Sequence, residues 1–176
     1  MEDLIQRALN FAAKAHETQK RKFNNQPYII HPIGVAEFVA LSKESKNKDI
    51  LLAVAILHDV IEDTAFDYKT IEFLFGYKVA DLVKELTNNK KLAKLEGKKD
   101  YLLRKMIGMS SYALVIKLAD ILHNLIDLKN TPETFRNNFI NRTMFIIEQL
   151  PQYRMITSSQ KKLIKMIQIK LIELEQ

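Results

Sequence analysis

The sequence predicts an all-α protein, a compact helical bundle of seven to nine helices. Three observations carry that expectation. Gly and Pro together number only 8 of 176 residues, too few for the many tight turns of a β sandwich or barrel. Apolar residues recur every three or four positions through most of the chain, the period of one helix face. No segment alternates strictly between apolar and polar residues, as a half-buried strand would.

Each element follows from its residues. Leu4, Ile5, Ala8, Leu9, Ala12 and Ala15 mark a first helix over 2–16. The polar stretch from His16 to Pro32 reads as loop, with Asn24-Asn25-Gln26-Pro27 as its turn signal. Pro32 suits the first position of a second helix, which runs through Val35, Ala36, Phe38 and Val39 to about Leu41. Ser42 to Lys48 reads as a charged turn, after which Asp49 can cap a third helix over 50–62. Helices are expected at 68–75, stopped by Gly76, at 77–86 and at 99–109. The segment 88–98 between them, with Lys90, Lys91, Lys94, Lys98, Asn88, Asn89 and Gly97, reads as a basic loop. A long helix follows at about 111–128, and Thr131-Pro132 opens another over 132–149. Ser158 or Ser159 can cap a last amphipathic helix over about 159–175. Its Leu163, Ile164, Ile167, Leu171 and Leu174 either close the core or pair with a second chain, core packing being favoured. No repeat, low-complexity tract or long linker divides the chain, so 1–176 reads as a single domain, monomer or homodimer.

Composition narrows the chemistry. The absence of Cys excludes disulfides, Cys-ligated zinc, iron–sulfur clusters and thiol catalysis. The start Met1-Glu2-Asp3 is acidic where a signal peptide is basic, and no apolar stretch reaches the roughly 20 residues of a membrane span. A cytoplasmic protein without membrane partners is expected. The net charge of +6 fits an anionic ligand. No aromatics interleave with the lysines at 90–99, so nucleic acid is not an expected partner.

Metal chemistry without Cys must use His, carboxylates and carbonyls. The apolar run Ile50 to Leu57 leads directly into His58-Asp59, with Glu62 and Asp63 each four residues further on. A carboxylate at such a core boundary needs a partner, and a divalent ion is one candidate. Asp120 follows the equally apolar run from Ala113 to Ala119, with Asn124 one turn on along the same face. His31 stands just ahead of Pro32. Each residue also has a plainer reading: a hydrogen-bonded His-Asp pair, a helix cap at His31, a Lys117–Asp120 ion pair, a solvated helix end at Glu62-Asp63, and packing for His123. The residues alone leave these open.

Three blocks together resemble a known family. Arg21-Lys22 followed by Pro27-Tyr28-Ile29-Ile30-His31-Pro32-Ile33-Gly34-Val35-Ala36 is similar to the opening of the hydrolase domain of the Rel/Spo alarmone enzymes. Leu57-His58-Asp59-Val60-Ile61-Glu62-Asp63-Thr64 resembles its second block, and Lys117-Leu118-Ala119-Asp120-Ile121-Leu122-His123-Asn124 its third. The blocks occur in the family's order over about 1–150. The resemblance implies an HD-type metal phosphohydrolase, similar to the stand-alone small alarmone hydrolases, including the metazoan type. It implies Mn²⁺ held by His31, His58, Asp59 and Asp120, with Glu62 and Asp63 as catalytic carboxylates. It implies that Arg21 and Lys22 meet the guanine, that Tyr28 and Asn124 lie near the nucleoside, and that Lys94, Lys98 and Lys99 contact phosphate. The implied reaction is hydrolysis of the 3′-diphosphate of (p)ppGpp to GDP or GTP and pyrophosphate. Two positions depart from the family pattern: Ile121 and Ile126 stand where basic residues are usual. They keep open an alternative substrate, (p)ppApp or the 2′-phosphate of NADPH. A non-catalytic nucleotide sensor is the remaining alternative, disfavoured because both Glu62 and Asp63 accompany all four implied ligands.

Overall fold

The computed structural model describes residues 3–42 and 45–175. Eleven α-helical segments lie among them, nine of them eight residues or longer, and none of these residues forms a strand. One isolated antiparallel bridge, Lys20 with Pro27, closes the loop between the first two helices. No described helix is long and apolar enough to cross a membrane. Contacts group the chain into two units, one ending at Thr87 and the other beginning at Asn88.

The N-terminal unit is built on α3. Helix α1 (Leu4–Ala15) and α2 (Ile30–Ser42) each pack against α3 (Lys48–Leu57). After the short α4 (Val60–Asp63) come α5 (Tyr68–Phe75) and α6 (Tyr77–Leu86), which pack on one another, and α6 also meets α3. Helix α3 is central because its run of apolar residues is buried: Leu51, Ala53, Val54, Ala55 and Leu57 are fully enclosed. Each Leu contributes about 1.5–3 kcal/mol of burial. Phe11 joins the unit's ends by stacking near Phe66 and Phe75, with ring centroids at 4.8 and 5.6 Å.

Several boundaries differ from expectation, each for a local reason. Helix α2 opens at Ile30 rather than Pro32, so His31 lies inside its first turn. Backbone bonds His31 N–H to Tyr28 O and Ile33 N–H to Ile29 O start the helix early, and a proline near the start costs no bond. Asp49 lies within the first turn of α3 and does not cap it, since the N-cap is Asn47. The turn expected over 42–48 falls partly outside the described residues. The helix expected over 50–62 breaks at His58-Asp59 and resumes as α4. Gly76, with φ of 84°, ends α5 as expected and also precedes α6.

The C-terminal unit is built on α9. The expected basic loop is instead helix α7 (Lys90–Glu96), which packs on α8 (Lys98–Gly108). The Asn and Gly residues that read as loop signals act here as cap and stop. Asn89 Oδ1 accepts the Leu92 N–H at 3.0 Å, and Gly97 ends the turn with φ of 85°. Helix α9 (Ser111–Ile126) is capped by Ser110, whose Oγ accepts the Ala113 N–H, and is buried almost end to end. A short 3₁₀ turn follows. Helix α10 (Glu133–Tyr153) starts one residue later than expected, with Pro132 rather than Thr131 at its N-cap. Helix α11 (Ser158–Glu175) is capped neither by Ser158 nor by Ser159. Thr157 and Gln160 bond reciprocally, Thr157 N–H to Gln160 Oε1 at 2.9 Å and Gln160 N–H to Thr157 Oγ1 at 3.5 Å, a capping box. The stripe Leu163, Ile164, Ile167 and Leu171 is buried, and α11 packs on α9. Arg154 caps the end of α8, its Nη1 donating to the carbonyls of Met106, Ile107 and Met109.

Candidate active site

The break after α3 brings His58 and Asp59 to one point. On an uninterrupted helix their side chains would diverge by ~100°. Here His58 ends α3, Asp59 precedes α4, and His58 Nε2 lies 3.1 Å from Asp59 Oδ2. His31, from the first turn of α2, brings its Nε2 to 3.6 Å from the same oxygen. The two imidazoles are almost fully buried, meeting edge to face with ring centroids 5.2 Å apart.

The protonation of His58 follows from its other nitrogen. Nδ1 is 2.8 Å from the carbonyl oxygen of Ala55, which can only accept, so Nδ1 carries the hydrogen. In the neutral form of His58 the Nε2 lone pair then faces a carboxylate oxygen. Two acceptors in such proximity call for a cation between or beside them, either a proton or a metal ion. A backbone-anchored Nδ1 with Nε2 turned toward a carboxylate is the arrangement that metal-ligating histidines adopt. The donor set of imidazole nitrogen and carboxylate oxygen suits a divalent ion of intermediate hardness.

Tyr28 orients the carboxylate. Its hydroxyl donates to Asp59 Oδ2 at 2.6 Å and lies 3.5 Å from Asp63 Oδ2. The Arg21 guanidinium carbon sits 5.6 Å from the Tyr28 ring centroid, while the Lys22 ammonium lies over Phe23 at 5.2 Å. Asp63 is exposed and Glu62 half-buried at the end of this loop and helix cluster.

His16 and Gln19 also belong to this architecture, although the sequence reading gave neither a role. Gln19 Nε2 donates to the Asp63 carbonyl at 2.5 Å. Its Oε1 therefore faces His16 Nδ1, at 2.8 Å, and must accept from it. The His16 ring packs on Tyr28, centroid to centroid 4.7 Å. The pair thus ties the Asp63 backbone to the ring that orients Asp59. The i, i+3 spacing of His16 and Gln19 directly ahead of Arg21-Lys22 was the available signal.

In the C-terminal unit, Asp120 is buried in the middle of α9 and both its oxygens are engaged. Lys117 Nζ lies 2.7 Å from Oδ2, and Asn124 Nδ2 donates to Oδ1 at 2.6 Å. The plainer ion-pair reading of Lys117 and Asp120 is therefore realised, and it leaves open a further role for the carboxylate. A cavity of about 130 Å³ opens beside Asp120 and Asn124, and Lys98 lines it. Lys94 and Lys99 are not among its lining residues. Lys94 is exposed on α7, and Lys99 is turned to Phe145, with its ammonium 4.3 Å from that ring centroid. Ile121, which stands where a basic residue was expected, lines the cavity, and Ile126 is partly exposed at the end of α9.

The sequence profile described as HD domain matches residues 8–150. The chain is 44% identical over 133 residues to the guanosine-3′,5′-bis(diphosphate) 3′-pyrophosphohydrolase MESH1 of Xenopus tropicalis, covering 74% of this chain and 73% of that protein. It is 44% identical over 129 residues to MESH1 of Homo sapiens, covering 72% and 70%. A solved structure of a metazoan ortholog of SpoT, described as hydrolyzing ppGpp, superposes with a TM-score of 0.80 at 29% identity over 97% of each chain.

Proposed function

This chain belongs to the HD domain family, and we propose that it is a divalent-metal-dependent pyrophosphohydrolase acting on the 3′-diphosphate of (p)ppGpp. The observation that carries the reading is the convergence of His31 Nε2 and His58 Nε2 on Asp59 Oδ2, in a chain whose relatives are named for that reaction. The family match crosses from the N-terminal unit into the C-terminal one, which supports treating 1–176 as one functional domain. The ligands in this reading are His31, His58 and Asp59 together with Asp120 from the third motif. A divalent ion there, Mn²⁺ in this reading, supplies the Lewis acidity that activates water near neutral pH.

The chain's own residues do the rest. Glu62 and Asp63 orient the attacking water and one of them takes its proton. The new bond forms at the phosphorus attached to the ribose 3′-oxygen. The bond between them breaks, and pyrophosphate departs. The proton the 3′-oxygen gains balances the one the carboxylate took. Tyr28 holds Asp59 in place, and Gln19 holds the Asp63 backbone. Arg21 offers a guanidinium plane on which a purine can stack, already seated against Tyr28.

A second reading, a related nucleotide such as (p)ppApp or the 2′-phosphate of NADPH, is favoured by one observation: Ile121 lines the cavity where a cation was expected. A panel assay separates the two. Guanosine tetraphosphate, its adenosine counterpart and NADPH are offered with Mn²⁺, and products are identified as pyrophosphate or phosphate. Preferred release of pyrophosphate from guanosine tetraphosphate supports the first reading. Cleavage of another nucleotide with guanosine tetraphosphate left intact contradicts it.

A further inference from the structure

Helix α10 presents Phe139, Arg142, Thr143 and Ile146 at helical spacing to the cavity beside Asp120. Arg142 is half-buried there, its guanidinium carbon 4.8 Å from the Phe139 ring centroid. Among the described residues no acceptor lies within hydrogen-bond distance of that guanidinium. The contrast with Lys117 is plain, since its ammonium is held by Asp120 at 2.7 Å. Burial pushes the Arg142 pKa down, and the Asp120 charge only partly opposes it. A half-buried guanidinium has given up part of its hydration and gained no acceptor in return. The cavity is far larger than one water molecule occupies. Lys98 adds a second cation to its wall, and Ile121 and Phe139 keep part of that wall apolar.

We propose that Arg142 is a specificity-determining residue, whose guanidinium binds a diphosphate group of the substrate in this cavity and supplies the positive charge that Ile121 lacks. This inference rests on the reading of the chain as a nucleotide pyrophosphohydrolase and names how that site takes its anion. The planar fork of an arginine donates to two phosphate oxygens at once, and the apolar wall strengthens the pairing. Nothing in the spacing of the sequence pointed to Arg142, because the cavity exists only where α10 packs against α8 and α9.

The test uses Mn²⁺-loaded full chain and two readouts. Hydrolysis of guanosine tetraphosphate is measured for wild type, Arg142→Ala, Arg142→Gln and Arg142→Lys, and inorganic pyrophosphate binding is measured by calorimetry on the same four proteins. The Arg142→Gln variant keeps most of the stem, so it guards against a loss caused by packing alone. Removing the charge is expected to raise both KM and the pyrophosphate Kd about ten- to hundredfold, with kcat changed much less. Arg142→Lys restores part of the loss. If folded Arg142→Ala and Arg142→Gln keep KM and the pyrophosphate Kd within about twofold of wild type, the subsite is wrong. If wild type leaves guanosine tetraphosphate intact yet pyrophosphate binding still falls with Arg142→Gln, the substrate reading fails and the diphosphate subsite stands.

Discussion

The two units of this chain carry opposite charge, and their functional groups follow it. Residues 1–87 hold eleven Lys and Arg against thirteen Asp and Glu, with three of the four histidines. Residues 88–176 hold sixteen against eight. In the first unit, two imidazoles and the Tyr28 hydroxyl converge on Asp59 Oδ2, an arrangement that invites a cation. In the second, the one buried carboxylate of α9 is already met by Lys117 and Asn124, and a neighbouring cavity holds Arg142 and Lys98, an arrangement that invites an anion. The modest net charge of +6 conceals this division. A metal ion and a polyphosphate are the two ligands the proposed reaction requires, and three of the four proposed metal ligands lie in the acidic unit while Arg142 and Lys98 lie in the basic one.

Substitutions can break this comparison at several points. The largest effect is expected in the N-terminal unit. Asp59→Ala should abolish metal retention, read by elemental analysis of the purified protein, and activity with it. Glu62→Gln should retain the metal while kcat falls about 10²–10⁴-fold. Equal metal loss in both variants would sink the division of roles between Asp59 and Glu62. Tyr28→Phe should weaken metal affinity by about 10–100-fold, because it removes only the hydrogen bond that orients Asp59. A metal titration measures that directly.

In the C-terminal unit the corresponding perturbation acts first on stability. Lys117→Met leaves a buried carboxylate short of its cation and should destabilise by about 3–5 kcal/mol, read from denaturant unfolding. An unchanged unfolding midpoint would mean that Asp120 does not depend on Lys117. Ser110→Ala removes the cap of the same helix and should cost about 1 kcal/mol.

The smallest effect is a pH signature remote from the site. Tyr68 donates to Asp81 at 2.8 Å, and its pKa is pushed up to about 12, chiefly by that hydrogen bond. Its folded pKa exceeds the unfolded one. The stabilisation is therefore present below the ordinary tyrosine value and is lost as pH rises through about 12. Tyr68→Phe should flatten that alkaline loss, visible in denaturant midpoints between about pH 10 and 12.

Much of this organisation was legible in the sequence, and what was not has physical causes. The all-α class followed from helical periodicity and scarce Gly and Pro. The convergence around Asp59 was foreshadowed by carboxylates and imidazoles set directly after apolar runs, a signal local in sequence. Helix α7 was missed because Asn89 and Gly97 serve equally well as loop residues and as cap and stop. The break at His58-Asp59 was missed because the apolar pattern runs on through Val60 and Ile61, and only tertiary packing turns both polar side chains to one point. Arg142 was invisible because its role depends on which helices surround it.

Hydrolysis of guanosine tetraphosphate in water enriched in heavy oxygen, followed by phosphorus NMR and mass spectrometry of the products, tests the central claim most directly. Attack at the phosphorus next to the 3′-oxygen predicts pyrophosphate carrying one labelled oxygen and GDP carrying none. Release of orthophosphate, a label on the ribose, or no turnover by metal-loaded protein would contradict it.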